Sequence, residues 1–299
     1  MRHRHPPDNI DMQSSKTIRH AVGLLLLAAT MLPNAATADE KARILIEQAV
    51  TGDHREADNA ARDRYRHPKK TLLFLGWEPE MTVVEIWPSS GWYTEILAPI
   101  TRPRGIYYAA NFAMTADRTP DWRKDVHKAF MEKLEAHPDV YDHVVVTELS
   151  VPERTTIAPP GTADLALTFR NVHNWMKGEY APAMFAVMHR ALKPGGVLGV
   201  VEHRAAPGTS RAKMVESGYV TEAHVIELAE NAGFELEARS EINANPADDK
   251  SHPAGVWTLP PSLRHCRRMD QGDQRDRCLQ RYREIGESDR MTLRFRKPG

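Results

Sequence analysis

The residues best suited to acid–base chemistry lie in one short segment, "FRNVHNW" (169–175). His173 could act as a general base, because the unperturbed pKa of imidazole, about 6.5, is close to neutral pH. Asn171 and Asn174, on either side of it, could orient a polar group of a substrate. A structural hydrogen bond beside Trp175 is the competing interpretation of His173, and both interpretations stand at this point.

A second set of candidate side chains is Glu202 and His203, at the end of "VLGVVEH", with His252 in "DDKSHPAG". Together with His173 they could bind a metal ion for hydrolysis. Zinc hydrolases typically carry histidines at a fixed spacing such as HExxH, and neither that motif nor HxxxH occurs in this sequence. We therefore predict no metal site and keep metal-assisted hydrolysis as an alternative function.

The stretch "VVEIWPSSGWYTEIL" (83–97) has the plan of a cofactor-binding strand and turn. An apolar run ends at Glu85, a tight turn follows, and Gly91 opens a predicted helix. Glycines are usual in such a turn because they permit φ > 0 and close approach of the backbone to a ligand. Here "WPSS" stands where glycines are expected. The turn therefore has two serine hydroxyls, and its backbone is more restricted than that of a glycine-rich turn.

Predicted strands and helices alternate from residue 82 onward. The predicted strands are 82–87, 105–111, 143–149, 163–169, 197–203, 234–242 and 290–297. The predicted helices between them are 91–100, 122–138, 181–196 and 221–233, the last with Thr221 as N-cap and Gly233 at its C-terminus. This alternation predicts an α/β, doubly wound, Rossmann-like sheet that binds ligands at the carboxyl ends of its strands.

The segments outside this core are a leader, a helical cap and an insertion. Residues 1–38 carry basic residues, the apolar run "AVGLLLLAATML" and a small-residue stretch that predicts cleavage ahead of Asp39. That run covers only about 18 Å of a roughly 30 Å hydrocarbon core, so we predict a signal peptide and export to the periplasm, with no membrane span after cleavage. Residues 39–70 are the predicted helical cap. The main domain is 71–299, with an insertion at 243–289 that covers the crevice.

Composition narrows the choice of partners. The 299-residue chain has a formal net charge of zero, which gives no reason to expect nucleic acid, and the arginines of 263–284 alternate with acidic residues as on a solvated helix. Cys266 and Cys278 are the only cysteines. In an exported chain they favour a disulfide over a metal site, because no CxxC motif or histidine cluster completes a ligand set. Two free thiols are the other possibility.

The core from 82 to 203 resembles class I S-adenosylmethionine-dependent methyltransferases. From about Arg62 onward the chain also resembles an exported bacterial branch of that superfamily. The segments that carry the resemblance are "EIWPSSGWYTEILAP", "FRNVHNW", "HRALKPGGVLGVVEHR", "SEINANP" and "GVWTLPPSLR". The resemblance implies a seven-stranded, mostly parallel sheet with an N-terminal helical cap and a long insertion before the last strand. It also implies S-adenosylmethionine as cofactor and a small or medium-sized acceptor.

The resemblance assigns roles to three acidic or amide positions. Glu85 matches the acid at the end of the first strand that helps to hold the methionine end of the cofactor, where a carboxylate suits an ammonium group. Asn111 stands where an acid normally accepts hydrogen bonds from the ribose hydroxyls. Glu148 matches the acid that faces adenine, although it could equally be a surface carboxylate. "NVHNW" (171–175) matches the loop that lines the cofactor and substrate crevice.

The opening turn departs from the family pattern. Of the three family glycine positions only Gly91 remains, and Trp87 and Ser89 occupy the others. The ring of Trp87 either stacks on a bound ligand or packs against the end of the sheet. This departure, Asn111 and the predicted export together support an alternative function: an exported ligand-binding protein on a degenerate methyltransferase scaffold without transfer activity.

Overall fold

Seven strands form one mixed sheet in the computed structural model, which describes residues 37–114 and 119–299. The strands are β1 (Thr82–Ile86), β2 (Ile106–Phe112), β3 (Val145–Leu149), β4 (Ala163–Phe169), β5 (Leu192–His203), β6 (Glu235–Ser240) and β7 (Arg290–Arg296). Their order is β3-β2-β1-β4-β5-β7-β6. The strands from β3 to β5 run parallel, and β7 is antiparallel to both β5 and β6. The predicted seven-stranded α/β sheet is confirmed.

Helices cover both faces of this sheet. They are α1 (Ala38–Val50), α2 (Ala57–Ala60), α3 (Asp63–Arg66), α4 (Pro68–Phe74), α5 (Thr94–Thr101), α6 (Asp121–Ala136), α7 (Pro138–Tyr141), α8 (Val172–Lys177), α9 (Ala181–Ala191), α10 (Arg211–Ser217), α11 (Glu222–Asn231), α12 (Arg264–Arg267) and α13 (Asp273–Ile285). Thr221 accepts a hydrogen bond from the backbone of His224, which confirms it as the N-cap of α11.

Residues of β1 alternate between two hydrophobic cores, one on each face of the sheet. Val84 and Ile86 pack in one core, whereas Val83 packs in the other. Successive side chains of a strand point to opposite faces, and a central parallel strand is covered on both, which is why this strand is apolar almost throughout. Glu85 shares its face with Val83 and is the one charged residue of β1.

Two predicted helix ends differ from the structure. The helix predicted at 181–196 ends at Ala191, and "LKPGG" already belongs to β5. A proline disfavours helical geometry in the residue before it, so Pro194 stops the helix earlier than expected. The helix predicted at 122–138 ends at Ala136, and Pro138 is the first residue of α7. A proline is tolerated at that position because the first N–H of a helix has no intrahelical partner.

The predicted cap folds as α1 to α4. Ala42, Ile46 and Ala49 form the buried face of α1, which packs on α4 and α5. Their spacing of three and four residues places them on one side of a helix. The leader predicted at 1–38 lies outside the described residues except for its last two, and its predicted cleavage point falls in the first turn of α1. Within the described residues, none of the helices combines the length and the apolar character needed to cross a bilayer.

The insertion 243–289 is ordered and joined to the sheet. It contains a 3-10 helix at Gly255–Thr258, then α12 and α13, which the Cys266–Cys278 disulfide connects. The predicted disulfide is therefore present. Buried Asp248 holds the insertion in position, because it accepts hydrogen bonds from the Tyr219 hydroxyl (2.9 Å) and the backbone N–H of Asp289 (2.8 Å).

Candidate functional site

A cavity of about 590 Å³ lies at the carboxyl ends of β1, β4 and β5. Glu85 of β1, His203 of β5 and the residues that follow β4 form its floor and walls. The insertion contributes Trp257 and "LPPS" (259–262) to the lining of the cavity. This is the edge of the sheet at which doubly wound folds bind ligands.

Glu85 is buried at the cavity and bonded to two hydroxyls. The Tyr107 hydroxyl donates to Glu85 Oε2 at 2.5 Å, and Thr94 Oγ1 lies 3.4 Å from the same oxygen. Burial raises the pKa of Glu85 to about 7, although these hydrogen bonds and the charge of Arg66 oppose the increase. Burial therefore favours the neutral form of this carboxyl at neutral pH more than in an exposed glutamate.

The turn after β1 keeps the backbone of a glycine turn with larger residues in it. Trp87 has φ 49° and Ser89 has φ 57°, both in the left-handed region that favours glycine. Gly91 has φ 84°, and a Cβ atom on it would lie 3.3 Å from the ring of Phe130. Trp87 and Ser89 line the cavity, whereas Gly91 faces α6 and does not.

Trp87 packs in an aromatic cluster. Its ring lies 4.8 Å from that of Phe112, 6.1 Å from Trp175 and 6.2 Å from Tyr180, and the Arg123 guanidinium lies 4.8 Å above it. Only 6% of the residue is exposed, so most of the indole surface is covered by protein. Packing against other side chains therefore covers most of the Trp87 ring. A ligand in the cavity would contact only the small part of the ring that is still exposed.

The segment 171–175 contributes three residues to the cavity, in different ways. Asn171 donates its amide N–H to the Ile86 carbonyl (2.9 Å), so it joins β4 to β1. His173 Nδ1 lies 3.0 Å from Glu202 Oε1, which fixes the ring. Asn174 is exposed at the rim. The structure thus brings all three predicted catalytic candidates to one cavity, with Asn171 already bonded to the backbone.

Glu202 orients the start of α8. It accepts hydrogen bonds from the backbone N–H groups of Val172 (2.6 Å), His173 (3.4 Å) and His203 (2.8 Å). A carboxylate at a helix N-terminus satisfies N–H groups that have no intrahelical partner. His203 Nδ1 in turn lies 2.5 Å from Ser288 Oγ. Burial, with the charges of His173 and Arg170, holds the pKa of His203 well below its usual range.

Asn111 and Glu148 lie outside the cavity lining. Asn111 is fully buried, and its Oδ1 accepts the backbone N–H of Phe112 (2.8 Å). Strand β2 runs one residue beyond Asn111, so Phe112, not Asn111, lines the cavity. Glu148 pairs with Asn111 in register and accepts a hydrogen bond from the Met114 backbone (3.2 Å). Both side chains would have to rotate toward the cavity to contact the cofactor. Their predicted roles in cofactor binding therefore stay predictions.

Three of the four candidate metal ligands come together. Ligand atoms of His173, Glu202 and His203 lie within 4.8 Å of one another. His252 does not join them: it bonds Asp248 (2.8 Å) and lines a neighbouring groove. Glu202 already accepts hydrogen bonds from backbone N–H groups. The positive charge of the nearby Arg170 would also repel a metal cation at this position.

The sequence reading missed a group of buried charges. Glu287 forms ion pairs with Arg62 (2.7 Å), Arg66 (3.2 Å) and Arg290 (3.2 Å). Burial raises the pKa of Glu287, but these guanidinium groups outweigh it and hold the pKa well below its usual range. Arg170, directly after β4, was within the quoted segment "FRNVHNW" and could have been recognised as the first charged residue at that strand end. The other members are distant in sequence and gave no local signal.

Comparison with solved structures identifies the architecture. A candidate sarcosine dimethylglycine methyltransferase from Galdieria sulphuraria superposes with a TM-score of 0.52 at 14% identity, covering 81% of this chain and 88% of that one. The sheet has the class I methyltransferase fold. A SAM-dependent methyltransferase from Aquifex aeolicus gives a TM-score of 0.44 at 16% identity, over 70% of this chain and 94% of its own. No protein-family model matches the sequence, and no curated protein matches it either.

Proposed function

We propose that the chain transfers a methyl group from S-adenosylmethionine to a small-molecule acceptor bound in the crevice. The observation that supports this most directly is the Glu85 carboxyl, which lines the cavity at the end of β1 in a sheet of the class I methyltransferase fold. A carboxyl at this point can bind the ammonium group of the cofactor's methionine end.

The cavity residues fit this cofactor in volume and in donor chemistry. The volume of about 590 Å³ is within the range of roughly 300–1,000 Å³ that small-molecule sites occupy. Tyr93 and Trp257 supply aromatic surface for a planar base or a sulfonium cation, and Ser89 supplies a hydroxyl. When bound, the cofactor would supply a methyl group already activated on sulfur.

His173 is the residue we assign to proton transfer. If Nδ1–H donates to Glu202, the lone pair belongs to Nε2, which can then accept a proton from the acceptor. The exposed amide of Asn174 can orient the acceptor at the rim. Trp257 and the Pro260–Pro261 pair of the insertion limit the access of water. Positioning and base assistance are what this transfer requires.

Calorimetric titration with S-adenosylhomocysteine tests the proposal without knowledge of the acceptor. An ammonium beside Glu85 stabilises the carboxylate, so binding at pH 7 should release about half a proton, measured in buffers of different ionisation enthalpy. Glu85→Gln should weaken binding about tenfold or more and abolish the proton release, whereas exposed Glu227→Gln should change neither. No binding at millimolar ligand would refute the transferase. Binding without turnover on any acceptor would favour a binding protein.

We also propose that the chain is exported. The supporting observation is the signal-peptide pattern of residues 1–38, which ends just as the ordered cap begins. N-terminal sequencing of the protein from a periplasmic fraction should give Asp39 as the first residue. A full-length chain retained in the cytoplasm or in the membrane would contradict this.

A further inference from the structure

Positive charge exceeds negative charge at the floor of the cavity. The guanidinium groups of Arg66 and Arg170, which line the cavity, interact electrostatically with those of Arg62 and Arg290 behind them, and the carboxyl groups nearby are Glu287 and Glu202. Glu202 is already bonded by backbone N–H groups. Burial raises the pKa of Glu85, so this carboxyl adds less negative charge at neutral pH than an exposed glutamate would. Unpaired buried charge is costly, so the floor is built to receive an anion.

Two of these arginines have donor groups that no residue in the described part of the chain pairs with. Arg66 and Arg170 both line it. The Arg66 side chain is 4% exposed and bonds Glu287 through Nε, while its Nη2 has no hydrogen-bond partner in the described part of the chain. The Arg170 guanidinium forms no hydrogen bond or ion pair with any residue of 37–114 or 119–299. An Arg donor fork without a partner matches the geometry of a carboxylate.

The backbone at Arg170 is held in a strained conformation where the residue borders the cavity. Its φ is 61°, in the left-handed region that non-glycine residues seldom adopt, although its backbone N–H is bonded to the Val201 carbonyl (2.7 Å). Such outliers are costly and cluster at functional sites. Burial lowers the pKa of Arg170 to about 10, so it stays protonated at neutral pH.

A basic groove leads from the surface to this cavity. Five cationic side chains line it against the single carboxylate of Glu216: Lys177, Lys213, Lys250, Arg264 and Arg268. Lys177, Asn174 and Trp257 line both the groove and the cavity, so the two are continuous. A groove of one sign of charge concentrates ligands of the opposite sign at its mouth.

We propose that the methyl acceptor is a small carboxylic acid whose carboxylate is bound by Arg170 and Arg66 at the floor of the cavity. This inference rests on the proposed function and specifies its substrate class. The aromatic side chains around the arginines, among them Tyr93 and Trp257, suit a planar body attached to the acid. The groove supplies the path by which such an anion enters.

Binding of benzoate and of its neutral isostere benzamide tests the inference, by ligand-observed NMR and calorimetry with and without saturating S-adenosylhomocysteine. Benzoate should bind in both conditions, and benzamide at least about tenfold more weakly, because a charge-assisted pair is lost. Arg170→Met should abolish the preference for benzoate, and Arg170→Lys should restore part of it. Arg239→Met, an exposed ion-paired arginine on β6, is the matched control and should leave the preference unchanged.

Stability separates a binding role from a structural one. Arg170→Met removes a buried cation that forms no ion pair with the described residues, and it should leave the melting temperature unchanged or raise it. A lower melting temperature with unchanged benzoate binding would overturn the inference, as would equal affinities for benzoate and benzamide. Competition between benzoate and S-adenosylhomocysteine would also overturn it, because the arginines would then serve the cofactor. Failure of S-adenosylhomocysteine to bind, with benzoate binding intact, would remove the methyl transfer and leave the acid site standing.

Discussion

Three buried carboxyl groups in or near the cavity have different partners, and the pKa values of two of them, Glu85 and Glu287, shift in opposite directions. Glu287 has three guanidinium partners, and the pKa falls well below its usual range. Glu85 has two hydroxyl partners in an enclosed position, and the pKa rises to about 7. Glu202 accepts three backbone N–H groups. The residue type alone does not set the charge of such a group; its immediate donors and its burial do.

The raised pKa of Glu85 predicts a pH-dependent cost to stability. Because the folded-state pKa lies above the ordinary value of 4.5, the folded protein binds more protons between pH 4.5 and about 7, and the free energy of unfolding falls as pH rises through this window. Glu85→Gln removes this cost. The variant minus wild-type free energy of unfolding should therefore rise by up to about 3 kcal/mol between pH 5 and pH 8. Urea titrations of both proteins at pH 5 and pH 8 measure these free energies of unfolding. The same difference between variant and wild type at the two pH values would contradict a raised pKa of Glu85.

Glu202→Gln should destabilise the fold. Glutamine replaces one acceptor oxygen by a donor NH₂, which would face the backbone N–H groups that Glu202 now satisfies. We expect a loss of about 1–3 kcal/mol in the free energy of unfolding. Exposed Glu227→Gln, whose carboxylate lies 3.1 Å from the ring of His224, is the control and should stay within about 0.5 kcal/mol. Equal stability of the two variants would show that Glu202 does not hold α8.

The turn between β1 and α5 depends on a glycine for packing as well as for conformation. Gly91 and Gly161 both have positive φ, at 84° and 71°, but a Cβ atom at Gly161 would meet nothing within 4 Å. Gly91→Ala should therefore cost more than Gly161→Ala, because the added methyl also presses on Phe130. We expect about 1–2 kcal/mol more destabilisation, measured by chemical denaturation of the two variants. Equal costs would mean that Phe130 moves freely aside.

The insertion is held together by a small core and one covalent link. Leu259, Leu263 and Tyr282 form that core around the Cys266–Cys278 disulfide, which spans a separation of 12 residues. Replacing both cysteines by alanine should lower the free energy of unfolding by about 3 kcal/mol, the amount expected for a loop of this length. Because Leu259 also lines the cavity, ligand affinity should fall as well. Hydrogen exchange should report faster opening in α12 and α13 than in β1.

The whole chain is electrically balanced, yet its charges are not evenly distributed. The formal net charge is zero, whereas the groove has five cationic residues and one acidic residue. We predict that raising NaCl from about 20 to 300 mM weakens benzoate binding roughly threefold and leaves benzamide unaffected, because salt screens exposed charges. Calorimetry of both probes measures this. A salt-independent affinity for benzoate would show that the groove does not attract acids.

The local pattern of the chain was sufficient to predict the seven strands, the helices α5, α6, α9 and α11, the turn after β1 and the N-cap at Thr221, but not the short helices α8 and α10. These features depend on side-chain periodicity and on backbone preferences within a few residues, which a sequence displays directly. The resemblance to methyltransferases added the cofactor and the role of Glu85. His173 was chosen for its imidazole chemistry, and the fold brings both residues to one cavity.

Contacts between distant segments were decided only by the tertiary structure. Arg66 and Glu287 are 221 residues apart, and no local pattern relates them. By its position in the sequence, Asn111 matches the family residue that binds the ribose of the cofactor. Strand β2 extends one residue further, however, so Phe112 lines the cavity instead. The electrostatic character of the cavity follows from such contacts, because Coulomb energies depend on distance and burial after folding and not on separation along the chain.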